Sequence, residues 1–69
     1  MTNTEFLKSV GMEIKVARIR KGLSQRELAD LSKMTKASVL NIENGKVDGK
    51  ILTYKRISEA LGKNIEEML

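Results

Sequence analysis

Residues 23–45 read LSQRELADLSKMTKASVLNIENG, and this stretch decides the fold. Ser24-Gln25-Arg26-Glu27 has the form of a capping box. The Ser24 hydroxyl can accept from the Glu27 N–H, and the Glu27 carboxylate can reach back to the Ser24 N–H. Leu23 before the cap and Leu28 inside the helix can close a hydrophobic staple. The pattern recurs eleven residues later, with Thr35 as the cap and Met34 with Val39 as the staple. Two stapled helices separated by so short a turn must pack at a steep angle. That is the sequence form of a helix-turn-helix, over about residues 24–44, whose second helix can enter the DNA major groove.

The flanks supply the scaffold. Thr2-Asn3-Thr4-Glu5 reads as a further capping box, opening a helix to about Lys21. Phe6, Val10, Ile14 and Ala17 recur at helical spacing and mark its inward stripe. Gly22 stops it. Helix two is expected over about 25–32 and helix three over about 36–44, ended by Gly45. Helix four is expected over about 51–61, with Ile51, Tyr54, Ile57, Ser58 and Leu61 inward, ended by Gly62. Asn64-Ile65-Glu66-Glu67 is an N-cap with a carboxylate three residues on, opening a last short helical turn. The five glycines read as helix stops and turns. No segment alternates with period two, so the expectation is an all-α, compact five-helix domain spanning residues 1–69.

In helix three, the spacing of Val39 and Ile42 matches Leu28, Ala29 and Leu31, which places both in the core. Lys36, Ala37, Leu40 and Asn41 then face outward. Lys36 can donate to guanine O6 and N7 or sit on a phosphate, and Asn41 can pair with an adenine edge or reach the backbone. Ala37 is small enough to admit a thymine methyl. Leu40 is an apolar residue on an exposed face; the alternative is that it packs against Lys36 with no groove role. For Lys36 and Asn41 the alternative is a solvated surface. Gln25, first in helix two, can offer its N–H and its amide to a phosphate at the positive end of the helix dipole. Its alternative is a neutral residue without a partner.

Charge and composition agree. The chain has 13 Lys and Arg against 9 Asp and Glu, net +4, with a pI of 9.6, which favours polyanionic partners. Residues 1–56 carry 12 cations and 6 carboxylates, and residues 57–69 carry one cation and three carboxylates, so the excess sits around the motif. There is no cysteine, histidine, proline or tryptophan, which removes disulfides and thiolate zinc sites. No cofactor, metal or small-molecule ligand is indicated. Apolar runs are too short to span a membrane, and the first residues lack a signal-peptide core. A soluble, cytoplasmic protein is the expectation. Catalysis has no support: no base stands ready to activate a serine, Glu66 and Glu67 diverge on a helix, and Glu27 and Asp30 read as cap and solvent charges. A core of 69 residues supplies only ~3–5 kcal/mol by itself.

Gly22-Leu23-Ser24-Gln25, Leu28-Ala29, Thr35, Val39 and Ile42-Glu43-Asn44-Gly45 together resemble the Cro and phage-repressor, or XRE-like, helix-turn-helix family. The likeness extends upstream to Gly11-Met12-Glu13-Ile14 and Arg18, and downstream to Ala60-Leu61-Gly62 and Ile65-Glu66-Glu67-Met68-Leu69. It implies a lambda-repressor-like fold, binding to double-stranded DNA, and a phosphate contact at Gln25. It also implies a second backbone anchor at Asn44 and Lys46. Arg26, Lys33, Thr35 and Ser38 complete the candidate phosphate set. The resemblance further implies an ion pair between Arg18 and Glu43; the alternative is two unrelated exposed charges. Lys33 departs from the pattern, since many relatives place glycine in that turn, so a lysine there either tolerates a left-handed backbone or alters the turn.

The function this implies is a sequence-specific regulator of transcription, a repressor or controller, acting as a dimer on a pseudo-palindromic operator. Small relatives include phage repressors, controllers of restriction-modification genes, and antitoxins. The alternative is an antitoxin-type interaction module with secondary DNA binding. A toxin-binding tail would distinguish it, and this chain ends directly after its last helix. The expected homodimer surface is the acidic C-terminal third: Leu52 lies off the inward stripe of helix four, and Ile65, Met68 and Leu69 add apolar surface. The alternative is that Ile65 and Met68 close the monomer core.

Overall fold

A computed structural model describes residues 3–67. It contains α1 (Asn3–Arg20), α2 (Gln25–Leu31), α3 (Lys36–Glu43), α4 (Ile51–Leu61) and a closing 3₁₀ turn at Ile65–Glu67. Among the described residues there is no strand. The fifth helix of the sequence reading is thus this 3₁₀ turn, in which the Asn64 N–H donates to the Glu67 carboxylate at 3.2 Å. The expected Thr2 cap lies outside the described residues.

The helix starts form as their sequences dictate. At α2 the Ser24 hydroxyl accepts from the Glu27 N–H at 3.0 Å, and the Ser24 N–H donates to Glu27 Oε1 at 2.9 Å. These bonds, the backbone one first, hold the Glu27 carboxyl below its ordinary value of 4.5, against a small opposing effect of desolvation. At α3 the Thr35 hydroxyl accepts from the Ser38 N–H at 3.1 Å. Gly22, Gly45 and Gly62 all take positive φ at the stops. Gly45 is doubly constrained, because at φ +67° it also lies against the Lys8 backbone, where a Cβ would sit 2.7 Å from the Lys8 N and Cα.

One core joins the four helices. It contains Val10, Ile14 and Ala17 of α1, Leu28 and Ala29 of α2, Val39 and Ile42 of α3, and Tyr54, Ile57 and Leu61 of α4. The staple residues Leu23 and Met34 pack against it half-buried, with Ala60 and Ile65.

Four expectations are corrected. Phe6 and Ile51, read as inward, are exposed at 44% and 67%. Helical spacing fixes an angle around the axis, but not whether a neighbour reaches the first turn of a helix. Leu31 is also exposed, at 58%, while Ser32 is 1% exposed. Ser32 follows Leu28 by four residues, so it takes the inward place as α2 ends. Finally, Gly11 is neither a stop nor a turn. It sits in mid-α1, where a Cβ would come within 2.4 Å of the Ile42 carbonyl oxygen and 2.5 Å of that of Glu43. Its missing side chain is what lets α1 lie directly on the end of α3.

Candidate nucleic-acid interface

The interface begins with a buried electrostatic hub. Arg18 Nε donates to Glu43 Oε2 at 2.7 Å and an Arg18 terminal nitrogen to Glu43 Oε1 at 3.2 Å. The other terminal nitrogen donates to the Leu23 carbonyl at 2.8 Å. The side chains are 10% and 1% exposed. One guanidinium thus ties α1 to the entry of α2 and to the end of α3, with the fork geometry that suits arginine to a carboxylate. The paired reading of Arg18 and Glu43 therefore holds over the separate-charge alternative.

Gln25 joins this hub. Its Nε2 donates to Glu43 Oε1 at 3.2 Å, a contact the sequence reading missed. The signal was available only in three dimensions, since the two residues are 18 apart in sequence. An amide nitrogen carries two hydrogens, so the second N–H and the backbone N–H at the start of α2 remain able to meet a phosphate.

On α3, with Val39, Ile42 and Glu43 buried, Lys36, Ala37 and Leu40 are exposed and Asn41 is half-buried. Leu40 is 42% exposed. All four lie on the outward face, and the Asn41 side-chain amide has no hydrogen-bond partner among the described residues.

Lys33 takes φ +57°, so a lysine does adopt the left-handed turn conformation and the turn is of the ordinary kind. Lys33, Thr35, Ser38 and Asn41 line one groove with Met34, Val47 and Thr53. Thr35 and Ser38 are less free than the sequence suggested. The Thr35 hydroxyl donates to Ser38 Oγ at 2.9 Å while accepting from the Ser38 N–H, which leaves only the Ser38 hydroxyl hydrogen to give. Arg26, Asn44 and Lys46 are exposed. Lys46 is anchored through its backbone N–H, which donates to the Asn41 carbonyl at 2.9 Å.

The sequence reading also missed Tyr54's second role. Its ring is in the core, but its oxygen accepts from the Gly49 N–H at 3.2 Å, tying the α3–α4 loop to α4. At the C-terminal third, Leu52 is exposed at 55% and Ile65 is half-buried, while Met68 and Leu69 lie outside the described residues. Among the described residues no helix is long and apolar enough to cross a membrane, and no group of three metal-ligating side chains forms.

Solved structures share this fold. The restriction-modification controller protein C.AhdI from Aeromonas hydrophila superposes with a TM-score of 0.92 at 28% identity, over 94% of this chain and 98% of that one. An HTH_3 family transcriptional regulator from Vibrio cholerae gives 0.89 at 27% identity, over 97% of this chain but 38% of that one. The clp gene regulator ClgR from Corynebacterium glutamicum gives 0.84 at 24% identity, over 90% and 67%, a likeness of fold alone. No curated protein sequence matches. The profile of the HTH_3 helix-turn-helix family matches residues 14–68, which include the hub, both motif helices and α4. The chain belongs to this helix-turn-helix family, the XRE-like DNA-binding regulators of transcription that its sequence resembles.

Proposed function

We propose that the chain is a sequence-specific, promoter-proximal regulator, a repressor or controller, that binds a pseudo-palindromic operator as a homodimer. The observation that carries this reading is the outward face of α3, held rigidly by the buried Arg18–Glu43 pair. Lys36 and Asn41 supply the base-reading donors and acceptors, and Ala37 and Leu40 the apolar surface for thymine methyls. Gln25, Arg26, Lys33, Ser38, Asn44 and Lys46 supply the phosphate contacts that set the register. The likeness to the Aeromonas controller, over 94% of this chain and 98% of that one, favours a regulator of the controller kind.

Size supports the dimer. The longest dimension of the chain is 30 Å. Successive major-groove segments on one face of the duplex lie ~34–36 Å apart. One copy reads one half-site, and a second copy about the two-fold axis reads the other.

Titration of duplex DNA at a series of salt concentrations tests the reading. A dimer touching ~6–10 phosphates gives a slope of log K against log salt of roughly −5 to −9. Absence of binding at low salt, or affinity indifferent to salt, refutes it.

A further inference from the structure

We propose that the groove between the end of α2 and the outer face of α4 receives the acidic C-terminal segment of a second copy of this chain. The proposal rests on the homodimer reading and says which surfaces meet.

The residues lining the groove include Leu31, Lys33, Leu52, Lys55, Arg56 and Glu59. Leu31 and Leu52 are more than half exposed, so the groove has two apolar contacts that the monomer leaves in water. Lys33, Lys55 and Arg56 are exposed as well, and among the described residues none forms an ion pair. Three cations against one carboxylate, set around leucines, call for an occupant that is acidic and apolar together.

The chain itself carries such a segment. Ile65-Glu66-Glu67-Met68-Leu69 is three apolar residues and two carboxylates. Ile65 is only half-buried, and Glu66 is exposed without a hydrogen bond or ion pair among the described residues. Glu67 has one oxygen on the Asn64 N–H and a second one free to accept. A two-fold axis makes the contact reciprocal, groove on tail and tail on groove, so each complementary pair counts twice. The arrangement also gives the acidic end, unsuited to DNA, basic partners in Lys55 and Arg56 of α4. Lys33 lines this groove and the one beside α3, so subunit association bears on the turn of the reading motif.

A charge exchange tests the contact. One variant carries Lys55→Glu and Arg56→Glu, the other Glu66→Lys. All three positions are exposed, so both variants retain the thermal unfolding of the parent. Sedimentation equilibrium at micromolar concentrations then gives the dimer dissociation constants. Each variant alone dissociates about tenfold or more readily, and an equimolar mixture returns to within about threefold of the parent, because the heterodimer restores opposite charges at both contacts. The parent dimer also weakens as salt is raised. If Leu52→Lys breaks the dimer while both charge variants and salt leave it untouched, the inference is overturned and the homodimer stands. Loss of association in each variant without rescue in the mixture overturns it too. A parent that stays monomeric at every concentration removes the homodimer reading itself.

Discussion

Two residues on neighbouring helices have separate tasks. Asn41 presents a free amide on the outward face of α3, whereas the Gln25 amide is oriented by Glu43 at the start of α2. A base contact discriminates and a phosphate contact does not. Asn41→Ala therefore relaxes preference at one base pair by ~1–3 kcal/mol, while Gln25→Ala weakens all sequences about equally. Selection from a random duplex library with each variant measures both effects, and an unchanged preferred site with unchanged affinity in both would show that α3 is not the reading element. Lys33 illustrates a conflict at one position. Its φ of +57° is costly for any residue with a Cβ. Glycine would relieve the strain but lose more backbone entropy, so Lys33→Gly raises stability by about 0.5–1 kcal/mol. It also removes a cation, making the salt slope of DNA binding shallower by roughly one unit per protomer. Denaturant melts and salt titrations of the same variant check the two opposite signs; unchanged stability would leave its backbone unstrained, and an unchanged salt slope would place Lys33 away from DNA.

The elements are held in register by polar contacts as well as by the core. Arg18 and Glu43 lock α1, the entry of α2 and the end of α3 together, and Gly11 lets α1 approach closely enough for the pair to form. Removing either charge alone costs ~3–5 kcal/mol, because the other is left buried without its counter-charge. The larger loss is expected for Arg18→Ala. It leaves the Glu43 carboxylate, which is 1% exposed, with only the neutral Gln25 amide, whereas an orphaned Arg18 keeps the Leu23 carbonyl and has more access to water. Denaturation of the two single mutants and the double mutant gives the coupling energy, and strictly additive losses would show that the pair does not act as a unit.

At the scale of the whole molecule, association multiplies a modest half-site affinity. Leu52 is exposed at 55%, so Leu52→Lys leaves the monomer folded while placing a charge in the proposed interface. Losing the second half-site lowers operator affinity by about a hundredfold or more, the scale on which linkage of two sites acts. The variant sediments as a monomer at concentrations where the parent dimerises. If it binds the operator as the parent does, the α4 face is not the dimer surface.

Local chemistry was legible in the chain before any coordinates. Ser24 with Glu27, Thr35 with Met34 and Val39, and the stops at Gly22, Gly45 and Gly62 act over a few residues, where chain connectivity alone brings the partners together. The helix order and the outward face of α3 follow from those signals and from helical periodicity. The Arg18–Glu43 pairing was legible through family resemblance, not through spacing. Tertiary structure alone decided the rest. Whether Phe6, Leu31 and Ile51 are buried depends on where a neighbouring helix ends, and Ser32 replaces Leu31 for that reason. That Gly11 is a packing contact, that Gln25 reaches Glu43 and that Tyr54 holds Gly49 depend on distances between chain segments that no local pattern encodes. Periodicity gives each side chain a direction; only the packed helices determine what, if anything, it meets.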